Sequence, residues 1–379
     1  MSRIQRDGRI DIIKGIGIIL VVCAHTNSPF DHFICLFHMP IFFMASGYFW
    51  NTKHSESFAN LRSYTIKKVK TLWIPYAVTN AVFTLLHNVF VRSHIYEDDP
   101  AFLEMVSGRN ERLTQLLSIK QICVDLVKNV LFMGQTQLGG ATWFLRTLFI
   151  VVVFHAFLCW VLRNSKAKKY VFAVVIVLTV VLAQLTAMEK LNFVGATVSS
   201  CFLNVFSAYL NYLMGIYVSH LDRKGDRLSI RSITDRHPVL VTLISLAILI
   251  VMNPFTTVIM KDGLVTNVLF LVICSVAGWC FLMGIATFIT KLNGAPFEYI
   301  GRKTMPILEM HFLCFKVVSV LYILATGGNI LLLASFPVLE GTPAMFWILY
   351  WIVGLSLPIL FSFCSDRIKL YFKQRRTEE

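Results

Sequence analysis

Apolar residues run through the chain in blocks of about 20, the length an α-helix needs to cross a bilayer. Ten such blocks fall near residues 10–27, 32–50, 72–91, 143–162, 169–188, 198–218, 239–258, 264–290, 304–326 and 344–364. They predict an all-α polytopic membrane protein with about ten transmembrane helices. Only the bend at Thr26–Asp31 separates the first two blocks, so the second helix returns directly against the first. The small run Ala45-Ser46-Gly47 then permits close helix approach. The longest stretch outside the blocks, residues 93–142, opens with Glu97, Asp98 and Asp99. It continues with apolar residues at 119, 122, 123, 126, 127, 130 and 131, a helical period. This predicts one external amphipathic helix near 119–132, lying on or dipping into the outer leaflet, either as a cap over an external cavity or as plain surface packing. Residues 1–371 read as a single transmembrane domain and 372–379 as a polar tail.

Composition sharpens this picture. Of 379 residues, 56% are hydrophobic and 15% charged, with a mean hydropathy of +0.67, where a soluble protein carries about 25% charge. The net charge of +14 suggests nucleic acid until its placement is considered. With ten spans, twenty-five of the 35 Lys and Arg residues fall on one side and seven on the other. That is the positive-inside bias, so both termini are expected in the cytoplasm and no nucleic-acid partner is implied. The nine cysteines are odd in number and lack any C-x-x-C, so they read as small core residues rather than a disulfide frame or metal site. The first block contains Asp11 and Lys14 and lacks a small-residue cleavage site, so it reads as a retained helix rather than a signal peptide.

The candidate chemistry lies in ionisable residues inside apolar blocks, where a charge costs at least a few kcal/mol. Asp11, Lys14 and His25 belong to the first block and His38 to the second. His25 follows Lys14 by eleven positions, which on a regular helix puts the two within about 20° of one line and about 16 Å apart. Glu309, His311 and Lys316 in the ninth block need the same polar surroundings, unless Glu309 simply pairs with Lys316 or Lys14 to lock helices. Lys67, Lys68 and Lys70 precede Leu72-Trp73-Ile74-Pro75. They read either as an interfacial anchor or as a phosphate-binding lip. His155 reads as packing, and Arg146 as a snorkelling side chain near the outer interface. No G-x-S-x-G or H-E-x-x-H motif is present. A neutral histidine could take the proton of a hydroxyl attacking a thioester, or accept the acyl group itself. Lysines would hold an anionic donor. The rival reading is a transporter or flippase using His, Lys and Glu as a proton relay; a third is a structural subunit of a polysaccharide assembly complex.

The run R-I-D-I-I-K-G…H, then F-H-M-P-I-F-F-M-A-S-G-Y, W-F-L after Gly139-Gly140, and F-E-Y-I-G-R-K-T-M-P-I-L-E-M-H resembles the acyltransferase-3 family. These are integral membrane acyltransferases that decorate extracytoplasmic sugars. The resemblance implies acetyl-CoA as donor on the cytoplasmic side and a glycan or lipid-linked sugar as acceptor outside. It also implies a multi-pass protein of a bacterial-type inner membrane. The family's basic residue and essential histidine fall on Lys14 and His25, and its aspartate on Asp11. The other motif histidines fall on His38 and His311, which with Glu309 and Trp143 are expected to line the cavity. Arginines common in the family's approach to the third helix are here Lys67, Lys68 and Lys70, which keep charge but lose the bidentate fork. Glu309 stands where the family usually has a neutral residue.

Overall fold

The computed structural model describes residues 8–106, 111–188, 204–262 and 264–378. Helices dominate them. The described strands are the two-residue Val258–Ile259 and Leu264–Val265, paired antiparallel with Val258 opposite Val265. Among the described residues, five helices are long and apolar enough to cross a membrane: Gly140–Val161, Lys168–Ala187, Val268–Leu292, Thr304–Thr326 and Phe346–Ile368. A bent pair, Ile230–Arg236 and Pro238–Met252, turns by 117° and makes a sixth if taken as one span.

Of the remaining apolar blocks, the second and third are broken for local reasons. The first is described as the helix Gly8–Cys23. The second splits into Asp31–Cys35 and His38–Tyr48. Pro40 has no N–H to donate to an upstream carbonyl, so it is tolerated only in a first turn, and the helix restarts two residues before it. The third block begins earlier than its hydropathy suggests, with Phe58–Lys68 capped by the Ser57 hydroxyl. It passes through a π-helical turn, Val69–Trp73, into Ile74–Leu85. That wider turn sits just before Pro75 and accommodates the missing hydrogen bond. The seventh ends at Met252, and the sixth is described from Val205 to Lys224. The final helix, Phe346–Glu378, continues through the stretch read as a polar tail. The amphipathic helix is present as Ile119–Val130, opened by a capping box between Ser118 and Gln121.

The described residues divide into two compact units. The first comprises Met1–Gly17, His32–Val78 and Thr142–Gly301; the second comprises Ile18–Asp31, Thr79–Ala141 and Arg302–Glu379. In the first unit the helices His38–Tyr48 and Val205–Lys224 touch backbone to backbone. A Cβ on Gly47 would lie 2.0 Å from the Tyr212 carbonyl oxygen, and one on Gly215 equally close to that of Met44. The small run at 45–47 therefore does permit a close helix approach, with Gly47 as the contact.

Candidate active site

The first unit holds the Asp11–Lys14 pair. Both residues lie on the Gly8–Cys23 helix, three positions apart, and the Lys14 ammonium is 2.7 Å from the Asp11 carboxylate. Asp11 is 2% exposed and the Lys14 side chain 25%, so the lysine is the member open to a ligand. Its ammonium also lies 5.8 Å from the centre of the Phe49 ring, within cation–π range. Behind the pair, the helix meets Ala295–Arg302. A Cβ on Gly301 would sit 1.9 Å from the Asp11 carbonyl oxygen, and one on Gly15 2.2 Å from that of Phe297. Two of the sequence motifs, I-I-K-G and Y-I-G-R, thus fit together through their glycines and fix the register of Asp11. His38 and Trp143 are buried in this unit; His38 Nδ1 donates to the Ile34 carbonyl at 2.9 Å, and Trp143 packs on Phe43.

The three lysines flank an aromatic cluster. Lys67 and Lys70 are exposed, while Lys68 is half-buried with its ammonium 5.2 Å from the Tyr64 ring centre. His54 stacks on the same tyrosine at 4.4 Å, and Trp50 packs against it edge-on. Burial lowers Lys68 to about 8, with neighbouring Lys67 adding to the effect. Burial lowers His54 too, followed by the charges of Lys67 and Lys68.

The second unit brings His25 and His311 together, their ring centroids 5.3 Å apart. The regular helix stops at Cys23, and the His25 and Thr26 amides bond back only three residues, to Val22 and Cys23. This tighter turn rotates each residue further than α-helical winding does. His25 is half-buried and His311 has no exposure. Nδ1 of each meets a carbonyl four residues back, Val21 for His25 at 2.8 Å and Ile307 for His311 at 2.9 Å. Those bonds assign the proton to Nδ1 and leave the lone pair on Nε2 in the neutral ring. Nε2 of His311 is buried without a hydrogen-bond partner.

Phe312 completes this pair, 4.9 Å edge-on from His25 and 4.2 Å from His311. It is itself backed by Phe336 at 4.8 Å, and Gly140 leaves room for its ring. The Phe336 segment is pinned by two charged residues. The Glu111 carboxylate accepts from the Phe336 amide at 3.0 Å, and the Lys316 ammonium donates to the Leu333 and Ser335 carbonyls at 2.8 and 2.6 Å. Burial raises Glu111 to about 6, opposed by that amide bond and by the Lys316 charge. Glu309 does not pair with Lys316; its carboxyl bonds the Thr79 side chain instead.

A family model described as an acyltransferase domain matches residues 7–366. The chain belongs to the acyltransferase-3 family. No curated protein and no solved structure gave a match. The molecule is therefore a membrane acyltransferase, and the imidazole pair of the second unit and the Asp11–Lys14 pair of the first fall within the matched domain. In this acyltransferase several residues matter that hydropathy did not single out. Phe312 and Phe336 looked like ordinary membrane-helix or loop apolar residues, and Glu111 like one more loop charge. Arg146, expected to snorkel, is buried at 6% exposure. Its place in the first turn of Trp143–Val161 hid that, because helix ends ordinarily let arginine reach water. His155 bonds the Tyr209 hydroxyl at 3.0 Å and packs against Trp50, Tyr209 and Tyr212, a buried polar group satisfied within the core.

Proposed function

We propose that this acyltransferase moves an acetyl group from cytoplasmic acetyl-CoA to a hydroxyl of an extracytoplasmic glycan or lipid-linked sugar. The arrangement adopted for this reading is ten crossings of a bacterial-type inner membrane with both termini inside. The observation that carries it is the half-buried His25 imidazole, tautomerically fixed by Val21 and set against a wholly buried second imidazole and an aromatic ring. Nε2 of His25 takes the proton of the acceptor hydroxyl as its oxygen attacks the thioester carbonyl. The carbon–sulfur bond breaks as the new ester bond forms. The proton passes from the imidazolium to the departing thiolate, giving free CoA thiol and regenerating the neutral base. Lys14, oriented by Asp11, meets the anionic donor, and Lys67, Lys68 and Lys70 bind its phosphates as point charges. His38 and Trp143 in the first unit and Glu309 in the second are assigned to the surroundings of the substrates, with His311 behind His25.

The experiment is release of CoA thiol from acetyl-CoA by purified protein in nanodiscs, with and without a glycan acceptor. His25→Ala should remove acceptor-dependent release, a loss of about 100-fold or more, while the protein remains abundant in membranes. Full activity in that variant would overturn the mechanism.

A further inference from the structure

The second unit contains a polar cavity of about 350 Å³ beside the amphipathic helix, within the size range of small-ligand sites. We propose that it is the acceptor subsite and that it takes an acidic sugar. The inference rests on the acetyl transfer proposed above, since it assigns a seat to that reaction's acceptor.

Three observations carry it. First, the Ile119–Val130 helix leaves most of its apolar stripe exposed while part of its polar face turns inward. Ile119 is 82% exposed, and Val127 and Val130 are exposed as well, whereas Asn129 is buried and Asp125 and Lys128 line the cavity. In water such a helix would turn its apolar face inward. With that face against hydrocarbon, its polar face must border water or a polar ligand.

Second, the cavity wall is preorganised for hydroxyl groups. The Asn129 side-chain amide donates to the Thr84 hydroxyl at 2.9 Å. The Asn80 carbonyl oxygen accepts from the Thr136 amide and hydroxyl at 3.0 and 3.1 Å. Amides and hydroxyls held in fixed orientation along the wall make a polar surface of the kind sugar hydroxyls meet. His87 and Tyr96, 5.3 Å apart, add an aromatic wall for a sugar face. Arg112 also lines the cavity and presents the planar fork that binds carboxylate or phosphate in bidentate fashion. Lys128 contributes less net charge, since Asp125 lies 3.5 Å from it.

Third, the cavity wall is connected to the imidazole pair by a short chain of packed residues. The Gln135 side-chain amide donates to the carbonyls of Gly139 and Gly140 at 2.9 and 2.6 Å. Gly140 faces the Phe312 ring, and that ring meets His25. A sugar whose acid group rests on Arg112 would thus be held in the same unit as the proposed base.

The test measures binding and turnover with full-length protein in nanodiscs. The probes are a glucuronate-containing oligosaccharide, its carboxyl-reduced counterpart, and a sugar 1-phosphate. Binding is read on the His25→Ala protein, so that it does not depend on catalysis. The acidic oligosaccharide should bind more tightly than its reduced form, and Arg112→Gln should weaken it about tenfold. Arg112→Lys should restore part of that loss. Tight binding of the sugar phosphate, lost in the same variant, would assign the anion to a lipid linkage and equally support the site. Equal binding of acidic and reduced sugars, or equal weakening by Lys120→Gln outside the cavity, would overturn it. The transfer assay separates the two readings. Absence of acetyl transfer to every acceptor counts against the proposed reaction, whereas transfer with unchanged acid preference in Arg112→Gln counts against the subsite alone.

Discussion

A histidine whose Nδ1 donates to the carbonyl four residues back presents Nε2 for chemistry, and His25, His38 and His311 are all built this way. His25 differs from the other two in its partial exposure. That makes it the member able to meet a hydroxyl, with His311 as a positioning residue behind it. His311→Phe would preserve ring packing against Phe312 and Phe315 but remove Nε2. Acceptor-dependent turnover should then fall by roughly 100-fold with KM for acetyl-CoA little changed; an unchanged turnover would make His311 simple packing. Lys68 gives a separate prediction through pH. Because burial holds it near 8, its charge is present below that pH and lost as pH rises through it. KM for acetyl-CoA should therefore increase between about pH 7 and 9 in wild type and stay flat in Lys68→Arg, whose guanidinium does not titrate there. Of the groups beside it, His54 is lowered below its ordinary range and the Tyr64 hydroxyl is raised by burial. The window thus belongs to Lys68, and a flat wild-type profile would remove it from the donor site.

Among the elements, the contact between Gly8–Cys23 and Ala295–Arg302 shows what a single sequence can and cannot reveal. Each helix was marked by its residues: Asp11 and Lys14 in an apolar run, and a charged lead-in to the ninth block. That Gly15 and Gly301 let the two backbones touch was not legible, because a glycine in a helix carries no record of which carbonyl it faces. Gly301→Ala should cost about 1–3 kcal/mol, as overpacking does, and displace Asp11. A lowered unfolding temperature together with a raised KM for acetyl-CoA would show this, and an unaltered variant would dissolve the contact. The amphipathic helix was legible nearly to the residue, since period and capping box both act locally. Its orientation was not, because periodicity gives a stripe without saying which medium it faces. The breaks at Leu36–Phe37 and at Val69–Trp73 were hidden under continuous hydropathy, although Pro40 and Pro75 were the available signals. The pairing of His25 with His311 depends on non-local packing, and the sequence offered only residue type and depth as a guide.

For the whole molecule, the buried ionisable residues among the described helices gather on a few elements. Lys168–Ala187 and Val268–Leu292 are long, and their lysines lie only at the ends. Gly8–Cys23 and His38–Tyr48 carry Asp11, Lys14 and His38, with His25 just beyond the first; Thr304–Thr326 bears Glu309, His311 and Lys316, and Trp143–Val161 bears Arg146 and His155. Charges buried in apolar blocks need water or polar protein groups around them. The ten-crossing arrangement then makes a concrete claim about sides. In a background lacking the native cysteines, Lys120→Cys should react with a membrane-impermeant maleimide on intact cells, and Arg227→Cys only after the membrane is opened. Labelling of both from outside, or of neither, would break the assignment of the amphipathic helix and its polar cavity to the acceptor's side. The reverse pattern would place that cavity with the donor, and the direction of acetyl transfer would have to be reversed with it.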